Sequence, residues 1–116
     1  MSEPARFQAR KIELTTTDEQ LLQDEFRDCD LVWTKTEKGN VIIPPNETQA
    51  IVVIIEENRG AVRIYPTPKS TNRIGDVGTE DAGYKVIIPW QNQWWFRVLG
   101  NPTVGYIRKK ESMTTK

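Results

Sequence analysis

Residues 50–55 read Ala-Ile-Val-Val-Ile-Ile, six apolar residues of which five are β-branched. β-Branched side chains are stiff about χ1 and fit a pleated strand better than a helix. The run is short and shows no alternation, so it predicts a strand buried on both faces. Any fold built on it must supply cover on both sides.

The sequence around this run reads the same way. Ala61-Val62-Arg63-Ile64-Tyr65 alternates as a strand, with Val62 and Ile64 inward. It follows Glu56-Glu57-Asn58-Arg59-Gly60, whose Asn and Gly can take positive φ. Residues 50–55 and 61–65 are therefore expected to pair as a hairpin. Residues 31–36 form another strand candidate, with Leu31 and Trp33 on one face, and Glu37-Lys38-Gly39-Asn40 is a turn. Val41-Ile42-Ile43 is a strand that Pro44-Pro45 must end, because proline cannot donate to a ladder. Asn46-Glu47-Thr48 adds a polar bend.

Residues 66–83 read as irregular, with Ile74 plugging the core from a loop. Residues 84–88, 94–99 and 103–107 are further strands, set apart by Pro89, the polar bend Gln91-Asn92-Gln93 and the turn Gly100-Asn101-Pro102. Near the start, Phe7, Ala9, Ile12 and Leu14 give an alternation that breaks at Arg10-Lys11, the pattern of a bulged edge strand. Residues 17–28 are the one helical candidate. Thr17 and Gln20 make a capping box, and Leu21, Leu22 and Phe26 share a face. Three turns at most can form there, enough for a lid over a sheet.

Short strands with this punctuation predict an all-β fold: an antiparallel β-sandwich or jelly-roll-like barrel with one short N-terminal helix. A length of 116 residues suits one domain, 1–116, with a polar arm at 1–6, the helix at 17–28 and a basic C-terminal tail at 108–116.

Composition narrows the chemistry. Sixteen Lys and Arg balance sixteen Asp and Glu, which disfavours a bulk nucleic-acid binder that would need many phosphate contacts. There is no histidine, so the commonest general base is missing, and Ser-His-Asp and Cys-His catalysis are excluded. Cys29 is the only cysteine. It can form no intrachain disulfide, has no histidine to activate it, and reads as a small buried hydrophobe made in a reducing compartment. Met1-Ser2-Glu3-Pro4 has no apolar stretch behind it, so no signal peptide is expected, and no run approaches a membrane span. The glycosylation sequon Asn46-Glu47-Thr48 carries no weight without secretion.

Three groups of residues could form sites. Trp33, Trp90, Trp94 and Trp95 come first. Trp94 and Trp95 are adjacent, so on a strand they point to opposite faces, and one must face away from its own core. Its cover can come from the chain itself, a neighbouring subunit or a sugar ring. Asp76, Glu80 and Asp81 form the second group, in a Gly-rich loop that could offer oxygens to calcium but lacks the alternating pattern of an EF-hand. A solvated acidic loop is the plainer reading, and no metal or cofactor is expected. Gly75-Asp76-Val77-Gly78 lacks the lysine and the strand-to-helix setting of a phosphate loop. Nothing in the sequence selects a carboxylate pair for glycoside hydrolysis. Arg108, Lys109 and Lys110, the third group, could touch an acidic surface or simply end the chain in solvent.

Residues 31–100 resemble small β-rich virion modules of tailed bacteriophages, the capsid decoration (cement) proteins and head- or tail-fibre domains. The residues that carry the likeness are Val41-Ile42-Ile43-Pro44-Pro45, the strand at 51–55 and the return Val62-Arg63-Ile64-Tyr65-Pro66. Ile74-Gly75 and the late aromatic strand Gln93-Trp94-Trp95-Phe96 complete it. The resemblance implies a non-enzymatic structural subunit, often a trimer, attached to a viral particle. It does not include the helix at 17–28 or the basic tail.

The leading expectation is therefore a viral structural protein, made in the host cytoplasm and found in the virion, that self-associates and decorates or stabilises a phage particle. Its partners would be further copies of itself and virion proteins such as the major capsid protein. Tyr84, Trp90, Trp94, Trp95, Arg108, Lys109 and Lys110 are the expected subunit or partner interface. The alternative is a carbohydrate-binding or receptor-recognition module using Trp90, Trp94 and Trp95. A small nucleic-acid-binding barrel ranks third, and an enzyme last.

Overall fold

The computed structural model describes residues 9–23, 26–35, 41–45, 47–55 and 60–110. The expected arm at 1–6, the turn at 37–40, most of the loop at 56–60 and the tail beyond 110 lie outside the described residues, as does Asn46 of the sequon.

Among the described residues the strands are β1 (Arg10–Glu13), β2 (Cys29–Lys35), β3 (Val41–Ile42), β4 (Thr48–Ile54) and β5 (Ala61–Tyr65), then β6 (Gly75–Val77), β7 (Tyr84–Pro89), β8 (Trp95–Leu99) and β9 (Thr103–Lys109). They form two antiparallel sheets, a five-stranded one in the order β1-β7-β4-β9-β2 and a four-stranded one in the order β3-β8-β5-β6. Strand β2 pairs with β9, β3 with β8, β4 with β7 and β5 with β6. The chain is thus one long antiparallel ribbon, tipped at β5 and β6 and rolled around a core. This is the pairing scheme of a jelly roll, and it makes the protein an all-β sandwich.

The core lies between the sheets. Ile51, Val53, Val86, Ile88, Val104 and Tyr106 come from the five-stranded sheet, and Val62, Ile64, Val77, Phe96 and Val98 from the four-stranded one. Burying a large apolar side chain such as Phe96 contributes roughly 1.5–3 kcal/mol. A second cluster covers the outer face of the five-stranded sheet: Leu21, Phe26 and Cys29 pack on Ala50, Val52, Ile87 and Ile107. Residues 50–53 are accordingly buried on both faces, as their unbroken apolar run requires.

Several local expectations change in the structure. The hairpin between residues 50–55 and 61–65 does not form. Strand β4 already pairs with β7 on one edge and β9 on the other, so no edge remains for β5, which lies in the opposite sheet. The helix expected over 17–28 is a single turn, α1 (Asp18–Leu21), with the Thr17–Gln20 capping box in place and Leu22 as its C-cap. It does act as a lid, held by the Trp33 indole N–H, which donates to Asp18 Oδ2 at 3.1 Å. The Lys85 ammonium, nearly buried, donates to the Thr16 carbonyl just before the turn.

Strand β1 is an edge strand as expected, but it pairs with β7 in unbroken register. The described register shift lies instead in β4, between Thr48 and Ala50. Residues 75–77, read as irregular, form β6, because Val77 finds Val62 across the ladder. Ile74 does pack on the core from outside a strand. The basic tail expected from 108 starts later: Arg108 and Lys109 belong to β9, opposite Asp30 and Cys29.

Candidate functional site

The four tryptophans divide into two pairs by what their indole N–H groups do. Trp33 sits on the lid side of the five-stranded sheet and donates to Asp18. Trp95 lies on the outer face of the four-stranded sheet and donates to the Thr67 carbonyl at 2.7 Å. Its ring is stacked on Tyr65, with centroids 4.2 Å apart and planes within 10°. Trp94 points the opposite way, into the core, and is only 4% exposed. Adjacent tryptophans therefore do face opposite ways, and the chain itself supplies much of the cover for each.

Trp90 and Trp94 form the second pair. They meet edge to face at 5.3 Å and 80°, and Trp90 makes a similar contact with Phe96. Neither indole N–H finds an acceptor among the described residues, and among those residues no side-chain nitrogen sealed from solvent lacks a partner. The space that both residues line is a cleft of about 370 Å³, walled by Ile43, Pro44, Pro45, Glu47, Thr48, Asn92 and Gln93.

Two polar bends build this cleft. Residues 43–45 and 47–48 lie between β3 and β4 and at the start of β4, and residues 91–94 lead into β8. The Trp90 backbone N–H donates to the Gln49 carbonyl at 2.9 Å and so joins the chain just after one bend to the chain just before the other. Glu47 and Gln93, with φ of 70° and 77°, are the non-glycine residues in the left-handed region among those described, and both line the cleft. A side chain held there costs on the order of 1 kcal/mol or more, and such strain concentrates at binding and catalytic sites.

No family model, curated protein or solved structure matches the chain. The chemistry of the cleft is therefore read from its own residues. It offers two indole donors, the amides of Asn92 and Gln93, one carboxylate on Glu47, and an apolar wall of Ile43 and proline.

A second cleft, of about 570 Å³, is lined by Phe26, Arg27, Asp28, Cys29, Glu47, Gln49 and Lys109. Burial, and then the neighbouring carboxylates of Asp28 and Asp30, push the Cys29 thiol up from its ordinary value. That keeps it protonated and blunts it as a nucleophile. The acidic group does not converge: Asp76 pairs with Arg73 at 3.2 Å, and Asp81 with Lys11 at 2.8 Å while accepting from the Gly78 N–H. Among the described residues no group of three His, Cys, Asp or Glu is placed to hold a metal, and no helix is long and apolar enough to cross a membrane.

The expected interface residues are scattered. Tyr84 is 43% exposed at the start of β7, beneath the Lys11 ammonium. Arg108 is half-buried in β9, Lys109 is exposed at its end and Lys110 is exposed just beyond it. Trp90 and Trp94 do come together, and Trp94, nearly buried, lines the cleft with Trp90. Glu47 and Gln93 were missed as site residues. Each was visible only as part of a polar bend, and neither bend announces the other.

Proposed function

We propose that the chain is a non-enzymatic structural subunit that self-associates and decorates or stabilises a phage particle. The observation that carries this reading is the outer face of the four-stranded sheet. No helix or strand among the described residues lies over it, whereas the other sheet's outer face carries α1 and Phe26. The face presents Trp95 stacked on Tyr65, both half-buried, with the loop at Thr67 against the Trp95 indole and Val41 half-exposed at the edge. Beside them Arg63 and Arg97 stand directly opposite each other across the ladder. Like charges in that position repel; Asp76 stands across the other ladder from Arg63 but makes its ion pair with Arg73, and Arg97 has no ion-pair partner among the described residues.

Tryptophan, tyrosine and arginine are the residues most enriched where proteins meet, and an acidic neighbour would relieve the two arginines. The reading is also supported by the resemblance of residues 31–100 to phage virion modules, and by analogy with the use of jelly rolls in viral particles. In this proposal three copies close a ring, the particle's major capsid or tail proteins supply the acidic surface, and the protein resides in the virion.

Light scattering on the purified chain tests it. A trimer is expected, and Trp95→Ser or Arg97→Glu should dissociate it while leaving the far-ultraviolet circular dichroism of the sandwich unchanged. A chain that stays monomeric at every soluble concentration and does not sediment with virions overturns the reading.

A further inference from the structure

We infer that the cleft beside Trp90 and Trp94 binds a neutral saccharide. This site lies apart from the open sheet face and does not depend on attachment to a particle.

Trp94 carries most of the argument. It is 4% exposed, so its indole is built into the core and also lines the cleft, yet its N–H donates to nothing among the described residues and is not sealed from solvent. An unused donor on a residue that lines a small cleft is matched by an acceptor that enters the cleft. Trp90, half-buried in the same cleft, leaves a second indole donor unused. The two other tryptophans show that the fold can satisfy such donors within itself, since Trp33 and Trp95 both do so.

The remaining lining narrows the ligand. Asn92 and Gln93 each bring a donor and an acceptor, and Glu47 brings an acceptor. A ligand that meets all of these must both donate and accept, as sugar hydroxyls do. An extended proline-rich segment offers carbonyl acceptors but few donors. The one charged side chain among the described lining residues is the Glu47 carboxylate, which repels an anionic sugar. Ile43, 74% exposed, and Pro45 form an apolar wall for the C–H face of a pyranose ring. Aromatic and apolar faces with a few convergent polar groups are the usual make-up of a small-molecule site. The left-handed backbones of Glu47 and Gln93 hold the polar groups at the two sides of the cleft, at a cost in stability that a purely structural bend would not need.

The full chain, labelled with nitrogen-15, is titrated with neutral glucose-, galactose- and N-acetylglucosamine-based tetrasaccharides. A sialylated trisaccharide and a polyproline peptide serve as comparisons. At least one neutral sugar is expected to shift the indole N–H resonances of Trp90 and Trp94 while leaving those of Trp33 and Trp95 in place. Trp90→Phe, which keeps the ring and loses the donor, should weaken that binding about tenfold, the effect of one hydrogen bond. Gln93→Gly should unfold at higher urea, because glycine is relaxed at this φ, and yet bind the sugar less well. The inference is overturned if no neutral sugar moves either resonance, if polyproline alone does, or if both variants bind as the parent does.

Discussion

Tyr65 on β5 and Trp95 on β8 are direct cross-strand partners whose rings lie parallel, 4.2 Å apart, on the outer face of the four-stranded sheet. Aromatic pairs of this kind contribute about 0.5–1.5 kcal/mol beyond the area they bury. A double-mutant cycle with Tyr65→Ala and Trp95→Ala, read by urea unfolding of a chain kept monomeric at low concentration, should return a coupling of that size. Simple additivity would mean that the stack only reflects crowding.

Gly105 on β9 has no room for a side chain. A Cβ there would lie 2.7 Å from Leu31 Cδ1 and 2.9 Å from Trp33 Cε3. Trp33 cannot retreat freely, because its N–H is held by Asp18. Gly105→Ala should therefore cost about 1–3 kcal/mol, the usual penalty for overpacking. An unchanged urea midpoint would show that the lid yields without cost.

The lid itself hangs on few contacts. Trp33→Phe removes the bond to Asp18, worth about 0.5–1.5 kcal/mol. Hydrogen exchange at the amides of Leu21 and Leu22, which bond to the carbonyls of Thr17 and Asp18, should quicken. The amides of Val52 and Val53, in the middle of the sheet, should keep their protection. Equal acceleration everywhere would make Trp33 a global rather than a local determinant.

Alkaline pH should weaken the fold. Burial raises the Tyr106 phenol above 10.0, a shift that the Thr34 hydroxyl partly opposes, and burial also raises the Cys29 thiol above 9.0. For a group raised in the folded state, the stabilisation is fully present below its ordinary value and is lost as pH rises through the folded one. In that window the unfolded chain has already released its proton and the folded chain has not. Urea midpoints taken from about pH 8 to about pH 11 should fall, and Tyr106→Phe should flatten the upper part of the slope. Cys29 should react slowly with a disulfide reagent at neutral pH and faster as pH rises, because the thiolate is the attacking species.

Much of this protein is written locally. The β-branched run at 50–55 determined a strand buried on both faces, Pro44-Pro45 ended β3, and the Thr17–Gln20 capping box placed the start of α1 to the residue. The adjacency of Trp94 and Trp95 settled that they face opposite ways. Each of these follows from the geometry of a few neighbouring residues, so sequence alone decides it.

Pairing was another matter. Residues 50–55 and 61–65 look like hairpin partners because a turn stands between them, but both edges of β4 are taken by strands distant in sequence, β7 and β9. The helix is one turn, and Leu21 within it and Phe26 after it still join the cluster with Ile87 and Ile107. The cleft likewise belongs to no single segment. Its lining residues at 43–45, 47–48, 90 and 92–94 are far apart in the chain and meet only when the ribbon rolls up. Local backbone preference chose the strands, and long-range burial chose which of them touch, which tryptophans are sealed, and which two leave a donor open.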